Sequence, residues 1–217
     1  MSLVQVNKFL ALTEGRDKLY KFAQYGSRVV AWWFLTFSPQ STNVQRFERL
    51  DSVISDVRKL LRFFKFLEEI QRLRTLKETK PLYILGSIGK SFGMSLYFFF
   101  NNLSWLCKYG AIKGEAKKYS DWSMWWWFIG VLCSFLMNVG RYRENLRKQK
   151  RMLSAQELKE YRNEQKQLQL AMIRELANLQ ISSALVDLNP MKSKGLVGLA
   201  GVIEALLGAH AIWKRCA

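Results

Sequence analysis

Residues 51–77 read DSVISDVRKLLRFFKFLEEIQRLRTLK and predict an amphipathic helix. At about 100° per residue, one face of that helix is apolar. It carries Val53, Ile54, Val57, Leu60, Leu61, Phe64 and Leu67. The opposite face is cationic and carries Arg58, Lys59, Arg62 and Lys65. Phe63 and Phe66 lie on the flanks, and the pattern weakens beyond Leu67.

A helix of this kind fits two environments. It could be a core helix of a soluble protein, or it could lie on a membrane surface. On a membrane, the apolar side chains would enter among the acyl chains while the cations bind anionic head groups. Taken alone the stretch favours the soluble alternative, so the rest of the chain has to decide between them.

Composition favours the membrane. The 217 residues carry a net charge of +17, from 34 Lys and Arg against 17 Asp and Glu, which implies an anionic partner such as nucleic acid, phospholipid or an acidic protein. The eight Trp and fourteen Phe are concentrated in apolar segments such as WWWFIGVLCSFLMNVG, residues 125–140. A soluble nucleic-acid-binding protein has no use for such a segment, so nucleic acid is not the expected partner.

Three apolar segments are candidates for crossing the membrane. Trp122–Gly140 is uncharged and begins with a cluster of Trp, as spanning helices do. Gly195–Trp213 carries small residues at three- and four-residue steps, which predicts close helix packing through Gly195, Gly198, Gly201, Ala205 and Gly208. Counting Leu82–Cys107 as a third candidate, we predict an all-α integral membrane protein with two to three transmembrane helices and amphipathic interfacial helices.

The chain divides into four regions on this pattern. Residues 1–81 form an N-terminal helical region that contains the amphipathic membrane-binding helix, 51–77. Residues 82–140 form a hydrophobic membrane region, and 141–190 form a polar helical segment that a Ser154–Glu157 capping box begins. Residues 191–217 form the last transmembrane helix and a short tail.

Leu82–Cys107 has a small, partly polar stripe with two interpretations. Ser87, Ser91 and Ser95 follow each other at four-residue spacing, next to Lys90. Close helix packing through small residues is the favoured explanation. A polar path for solutes is the other, with Lys90 favouring anions and Glu204 of the last helix as a conceivable partner of Lys90.

No enzymatic chemistry is recognisable. There is no glycine-rich phosphate loop, nucleophile elbow or set of metal ligands. The three cysteines are far apart and His210 ends an apolar helix, where a packed histidine is expected. We therefore expect a protein that is not an enzyme and needs no cofactor.

Several segments together resemble one family, the peroxin-eleven family of peroxisomal membrane elongation and proliferation factors. They are TEGRDK followed by QYGSR (residues 13–28), RKLLRFFKFLE (58–68) and GLVGLAGVIEALLG (195–208), in matching order over essentially the whole chain. One departure is Glu204, where the resemblance leads us to expect a small or hydroxylated residue.

The resemblance implies a multi-pass protein of the peroxisomal membrane that elongates the organelle and promotes its division. It implies self-association, cooperation with a fission adaptor and a dynamin-related GTPase, and insertion by a cytosolic receptor for peroxisomal membrane proteins. In that family the element matching residues 51–77 is associated with membrane bending. The alternative function is a pore for small solutes, lined by Ser87, Lys90, Ser91, Ser95 and Glu204.

Overall fold

The computed structural model describes residues 2–149 and 154–216. Within these ranges all regular structure is helical, in eight helices. They are α1 (Leu3–Ala11), α2 (Thr13–Phe37), α3 (Asn43–Leu61), α4 (Lys65–Arg74), α5 (Pro81–Lys108), α6 (Ala116–Gln149), α7 (Ala155–Leu185) and α8 (Lys194–Arg215).

The helices form a ring rather than stacked layers. α2 packs against α8, α8 against α7, α7 against α6, and α6 along α5. The ring closes through α3 and α4, since α3 contacts both α2 and α5 while α4 lies on α5. The short α1 packs on α2 and α8. Among the described residues α2 makes no close backbone contact with α5 or α6, so the ring has an interior.

Part of that interior is filled by an apolar core. Tyr25, Tyr97, Trp127, Ile181 and Val197 belong to one buried cluster, to which α2, α5, α6, α7 and α8 all contribute. The rings of Tyr97 and Trp127 are nearly parallel, with centroids 5.6 Å apart. This cluster fastens five helices together and fills the ring at one level.

The helix predicted over residues 51–77 is two helices in the structure, and the prediction of one continuous helix is wrong in that respect. α3 ends at Leu61, a turn follows, and α4 begins at Lys65. Phe64 has a positive φ of 61°, which a helix cannot continue through. The break redirects the chain so that α4 lies on α5, where the Phe66 ring meets Phe99 edge to face.

Among the described residues, two helices are long and apolar enough to cross a membrane, judged by length and composition. They are Ala116–Arg147, which is most of α6, and Lys194–Arg215, which is α8. Both contain predicted spans. The predicted all-α fold with two to three candidate spans is confirmed at this level. α5 does not meet the same criterion, and Lys90 and Asn101 within it show why.

Candidate functional site

The apolar face of α3 and α4 points away from the protein. Val53, Leu60, Phe64 and Leu67 are 59, 53, 60 and 55% exposed, and Val57 is exposed as well. The other two predicted members of this face, Ile54 and Leu61, are half-buried. We call the exposed row the outer apolar face: Val53, Val57, Leu60, Phe64 and Leu67.

The four cations of the same stretch point inward. Arg58 is buried, and its guanidinium donates hydrogen bonds to Asp17 at 2.9 Å and to Gln24 at 2.7 Å. Arg62 donates to the hydroxyl of Tyr97 at 2.9 Å. Two ion pairs complete the set: Lys59 with Asp56 at 3.8 Å, and Lys65 with Glu14 at 3.4 Å. The residues predicted to bind head groups are therefore held by carboxylates and polar groups of the protein itself.

Asp17 is the centre of this inward-facing charge. Burial alone would raise the pKa of its carboxyl, but the guanidinium groups of Arg58 and Arg62 outweigh burial and lower the pKa to about 2. The carboxylate is therefore ionised at any physiological pH. It fixes α3 to α2 through two cations at once.

Glu204, where we expected a small or hydroxylated residue, also has two cationic partners. Lys18 approaches one carboxylate oxygen at 2.6 Å and Lys21 the other at 2.5 Å. Lys21 also donates to Asn178 of α7 at 3.3 Å. The predicted Lys90–Glu204 pair is wrong, because α2 lies against α8 and supplies both lysines. A buried acid in an apolar helix is thus compensated by a neighbouring helix.

The small residues of α8 face α2. A Cβ at Gly201 would lie 2.0 Å from the Tyr25 ring, one at Gly198 would lie 2.7 Å from Val29, and one at Gly195 would lie 2.5 Å from Trp32. Gly208 lies over the side chain of Lys18. Ala205 is fully buried. All five predicted packing residues therefore lie in close helix contacts.

The stripe of α5 divides between packing and cavity. Ser91 and Ser95 are buried, and Ser95 donates to the carbonyl of Phe66 at 3.4 Å. The Ser87 hydroxyl lies 3.5 Å from the sulfur of Met137. A Cβ at Gly93 would lie 2.9 Å from the backbone of Gly130 on α6. Lys90 instead lines the interior cavity, as Glu204 does from α8. The five residues of the predicted path do not form one continuous lining.

The cavity enclosed by the ring has a volume of about 670 Å³. Charged side chains from each of the helices α2 to α8 line it. Among the described residues no cluster of His, Cys, Asp and Glu could hold a metal ion. The arrangement is suited to binding an ion or a polar molecule.

Sequence reasoning missed the polar side of α2. Asp17, Lys18, Lys21, Gln24 and Arg28 recur at three- and four-residue steps on one side of this helix, and all of them line the cavity. That periodicity was a usable signal, since a charged stripe on a helix with exposed Leu19, Phe22 and Trp33 implies a polar interior.

The sequence matches the family profile described as Peroxisomal biogenesis factor 11 (PEX11) over residues 3–213. The chain belongs to this family. A Dictyostelium discoideum relative, Peroxisomal membrane protein 11 homolog, is 28% identical, with 96% of this chain and 93% of the relative aligned. Peroxisomal membrane protein 11B of Arabidopsis thaliana is 26% identical over 98% of this chain and 99% of its own length. No solved structure matches the chain significantly.

PEX11 membership confirms the resemblance inferred from the three sequence segments. It makes this chain a peroxisomal membrane protein with a role in peroxisome biogenesis and proliferation. The match runs through every helix of the ring, so the outer apolar face and the cavity both lie inside the family region.

Proposed function

We propose that this PEX11 protein elongates the peroxisomal membrane by inserting its outer apolar face into one leaflet, without catalysing a reaction. The observation that carries the proposal is the outward direction of Val53, Val57, Leu60, Phe64 and Leu67 on α3 and α4. A soluble protein would turn this row inward and the cations outward. Here the orientation is reversed, so lipid is the natural partner of the row.

The energetics favour insertion. Full burial of each large apolar side chain is worth at most about 1.5–3 kcal/mol, so five such side chains can hold a helix on a bilayer even when each is only partly buried. A helix lying about 5–10 Å deep expands one leaflet and not the other. Unequal leaflet areas favour curvature, and many copies on one membrane favour a tubule.

The cations that contact lipid head groups in this proposal are different from those predicted from the sequence. For Arg58, Lys59, Arg62 and Lys65 to reach lipid phosphates, α3 would have to leave its partners on α2. Arg46 and Arg49 are exposed and lie seven and four residues before Val53, on the same side of α3. They are better placed, and each contributes about 1 kcal/mol near an anionic leaflet.

The two candidate spans would anchor the wedge in a multi-pass arrangement. α6 exposes Ile129, Leu132 and Leu136, and α8 exposes Leu199 and Ile203. The polar side chains Ser123, Ser134 and Asn145 of α6 and Glu204 of α8 are buried. Apolar outer sides around a polar interior are typical of helices in lipid. Self-association, a fission adaptor, a dynamin-related GTPase and a cytosolic insertion receptor remain proposals that rest on the family resemblance.

The test uses the full-length protein reconstituted into liposomes that contain anionic phospholipid. Val53→Glu combined with Leu60→Glu places two charges on the outer apolar face. Because both positions are more than half exposed, the fold is unaffected and only insertion is lost. Electron microscopy should show tubules with the natural sequence and round vesicles with the double variant.

The matched control is Leu82→Glu combined with Leu85→Glu, at positions that are each 70% exposed but belong to α5. This control should still form tubules. Equal tubulation by the α3 double variant and the natural sequence would mean that another element bends the membrane.

A second candidate function, passage of small solutes, is favoured by one observation, the charged cavity inside the helix ring. The apolar core cluster that joins five helices opposes a permanently open pore. Planar-bilayer recording separates the two functions. A conductance whose ion selectivity changes with Lys90→Glu would support passage, and electrically silent bilayers would exclude it.

A further inference from the structure

The interior cavity has the size of a ligand site. Its volume of about 670 Å³ lies within the range of roughly 300–1,000 Å³ that is typical of small-molecule sites. Most such sites are lined largely by apolar side chains. About half of the residues that line this one are charged, which restricts the class of molecule that would occupy it.

The charge of the lining is strongly unbalanced. Eleven Lys and Arg line the cavity against six Asp and Glu, an excess of five positive charges. In a cavity with walls of low dielectric constant, such an excess attracts anions and focuses the field on them. Part of the net charge of +17 therefore lies in the lining of the cavity and not on the outer surface of the protein.

The internal carboxylates are already shared between cations. Asp17 lies within 4 Å of both Arg58 and Arg62. Two other carboxylates also lie within 4 Å of two cations each. The remaining two sets are Glu204 with Lys18 and Lys21, and Glu14 with Lys65 and Arg215. Three carboxylates thus serve six cations, while Arg28, Lys59, Arg72 and Arg174 have one carboxylate each, so protein groups leave part of the positive charge uncompensated.

Lys90 is the cation that this arrangement leaves available. It lines the cavity from the middle of α5, it is half-buried, and no carboxylate of the described residues lies within 4 Å of its ammonium group. Arg72 lines the same cavity and donates one hydrogen bond to Glu69 at 2.9 Å, but its side chain is 54% exposed, so its other N–H groups are accessible. These two side chains come from different helices and offer hydrogen-bond donors to a ligand.

Aromatic rings of the lining contact two of its cations. The guanidinium of Arg62 lies 5.7 Å from the ring centre of Tyr97, and the ammonium of Lys21 lies 5.9 Å from that of Trp127. Cation–π contacts of this kind help to position the two charged groups, which are also paired with carboxylates, Arg62 with Asp17 and Lys21 with Glu204. A wall of preset cations is a feature of phosphate recognition sites, in which guanidinium groups bind phosphate oxygens in pairs.

We propose that this cavity binds a small anion that carries several phosphate groups, with Lys90 and Arg72 among its ligands. The same chemistry occurs in a free inositol polyphosphate and in the head group of a phosphorylated inositol lipid. The proposal does not rest on membrane bending, because the cavity faces inward and the outer apolar face does not contribute to it.

The experiment measures binding to the purified full-length protein by calorimetry. One arm uses free inositol trisphosphate, and the other uses nanodiscs containing phosphatidylinositol bisphosphate, compared with nanodiscs of equal charge made with phosphatidylserine. Lys90→Gln should weaken binding by about tenfold, the loss expected for one charge-assisted hydrogen bond. Arg72→Gln, which alters a mostly exposed side chain, should weaken it in the same direction.

Lys117→Gln is the matched control, since Lys117 is exposed at the start of α6 and does not line the cavity. Its binding should equal that of the natural sequence, and tubulation by Lys90→Gln should be unchanged. Binding in either arm that Lys90→Gln weakens and Lys117→Gln does not supports the proposal, and the arm that responds identifies the source of the phosphates. No binding in either arm, or equal weakening by both variants, overturns it.

Discussion

Asp17 is the residue on which the attachment of α3 to α2 depends. Its carboxylate accepts from the buried guanidinium of Arg58 and lies 3.8 Å from Arg62, on a side chain that is largely buried itself. A buried ion pair of this kind contributes little when intact, but removing one partner leaves an uncompensated charge. The stability of the ring should therefore respond strongly to this carboxyl and to its protonation.

Asp17→Asn should destabilise the protein at neutral pH by roughly 3–5 kcal/mol, the loss typical of breaking a buried pair. The pKa of this carboxyl is about 2 in the folded protein, compared with the ordinary value of 3.8 that applies in the unfolded chain. Its stabilising effect is therefore complete above about pH 5 and is lost as the pH falls towards 2. The gap in unfolding free energy between natural sequence and variant should shrink by about 2 kcal/mol over that range.

Guanidinium unfolding of the detergent-solubilised protein, followed by tryptophan fluorescence, measures this gap. Asp187→Asn is a suitable comparison, because Asp187 is exposed and has a positive φ that asparagine tolerates. That variant should show little gap at any pH. A gap for Asp17→Asn that stays constant from pH 5 to pH 2 would contradict the assigned role.

The sequence predicted the packing role of some residues but not the ion-pair partners of others. The glycines and Ala205 of α8 were recognised from spacing, which depends only on their own helix. The partner of Glu204 was not, because Lys18 and Lys21 lie more than 180 residues away along the chain and no local pattern joins them. The inward direction of Arg58 was missed for the same reason, since Asp17 lies 41 residues before it.

At the scale of elements, the small residues of α8 allow this helix to pack closely against α2. Tyr25 fills the space left by the missing side chain of Gly201, and Val29 and Trp32 fill those at Gly198 and Gly195. Because the backbones approach closely there, side-chain volume added on α8 has nowhere to go.

Gly201→Ala should therefore destabilise the protein by about 1–3 kcal/mol, the range for overpacking a well-filled core. The Cβ would meet the buried ring of Tyr25, which cannot move without disturbing the core. Gly26→Ala on α2 provides the control, because nothing lies within 4 Å of its Cβ position. It should be neutral or stabilising by up to about 1 kcal/mol, through helix propensity. Equal thermal shifts for both variants would contradict the close contact.

Helix existence could be predicted from the sequence, whereas helix boundaries could not. The capping box of Ser154 and Glu157 is present at the start of α7. The break after Leu61 could not be predicted, because the residues that follow it, RFFKF, include no glycine or proline and are all compatible with a helix. Packing of α4 on α5 imposes that break, and packing is not visible in one segment's periodicity.

At the scale of the molecule, several charged side chains lie inside and many large apolar side chains lie outside. Lys21, Arg58, Glu69, Glu175 and Glu204 are buried, while apolar side chains of most helices face out. The sequence predicted membrane association from its apolar segments. The sequence could not predict the ring, because the ring depends on which helices pack against each other. The apolar faces of α2 and α3 could also have pointed either inward or outward.

The central claim is that the outer apolar face of α3 and α4 lies in a lipid leaflet. A spin label at Leu60, in a variant without native cysteines, tests it in full-length protein reconstituted into anionic liposomes. The account predicts collision with oxygen, which dissolves in lipid, at a depth of about 5–10 Å, and little collision with a water-soluble nickel reagent. A label at Ser52, which is exposed beside Gln45 and Arg49, should show more collision with nickel. High nickel accessibility at Leu60, equal to that at Ser52, would contradict the account.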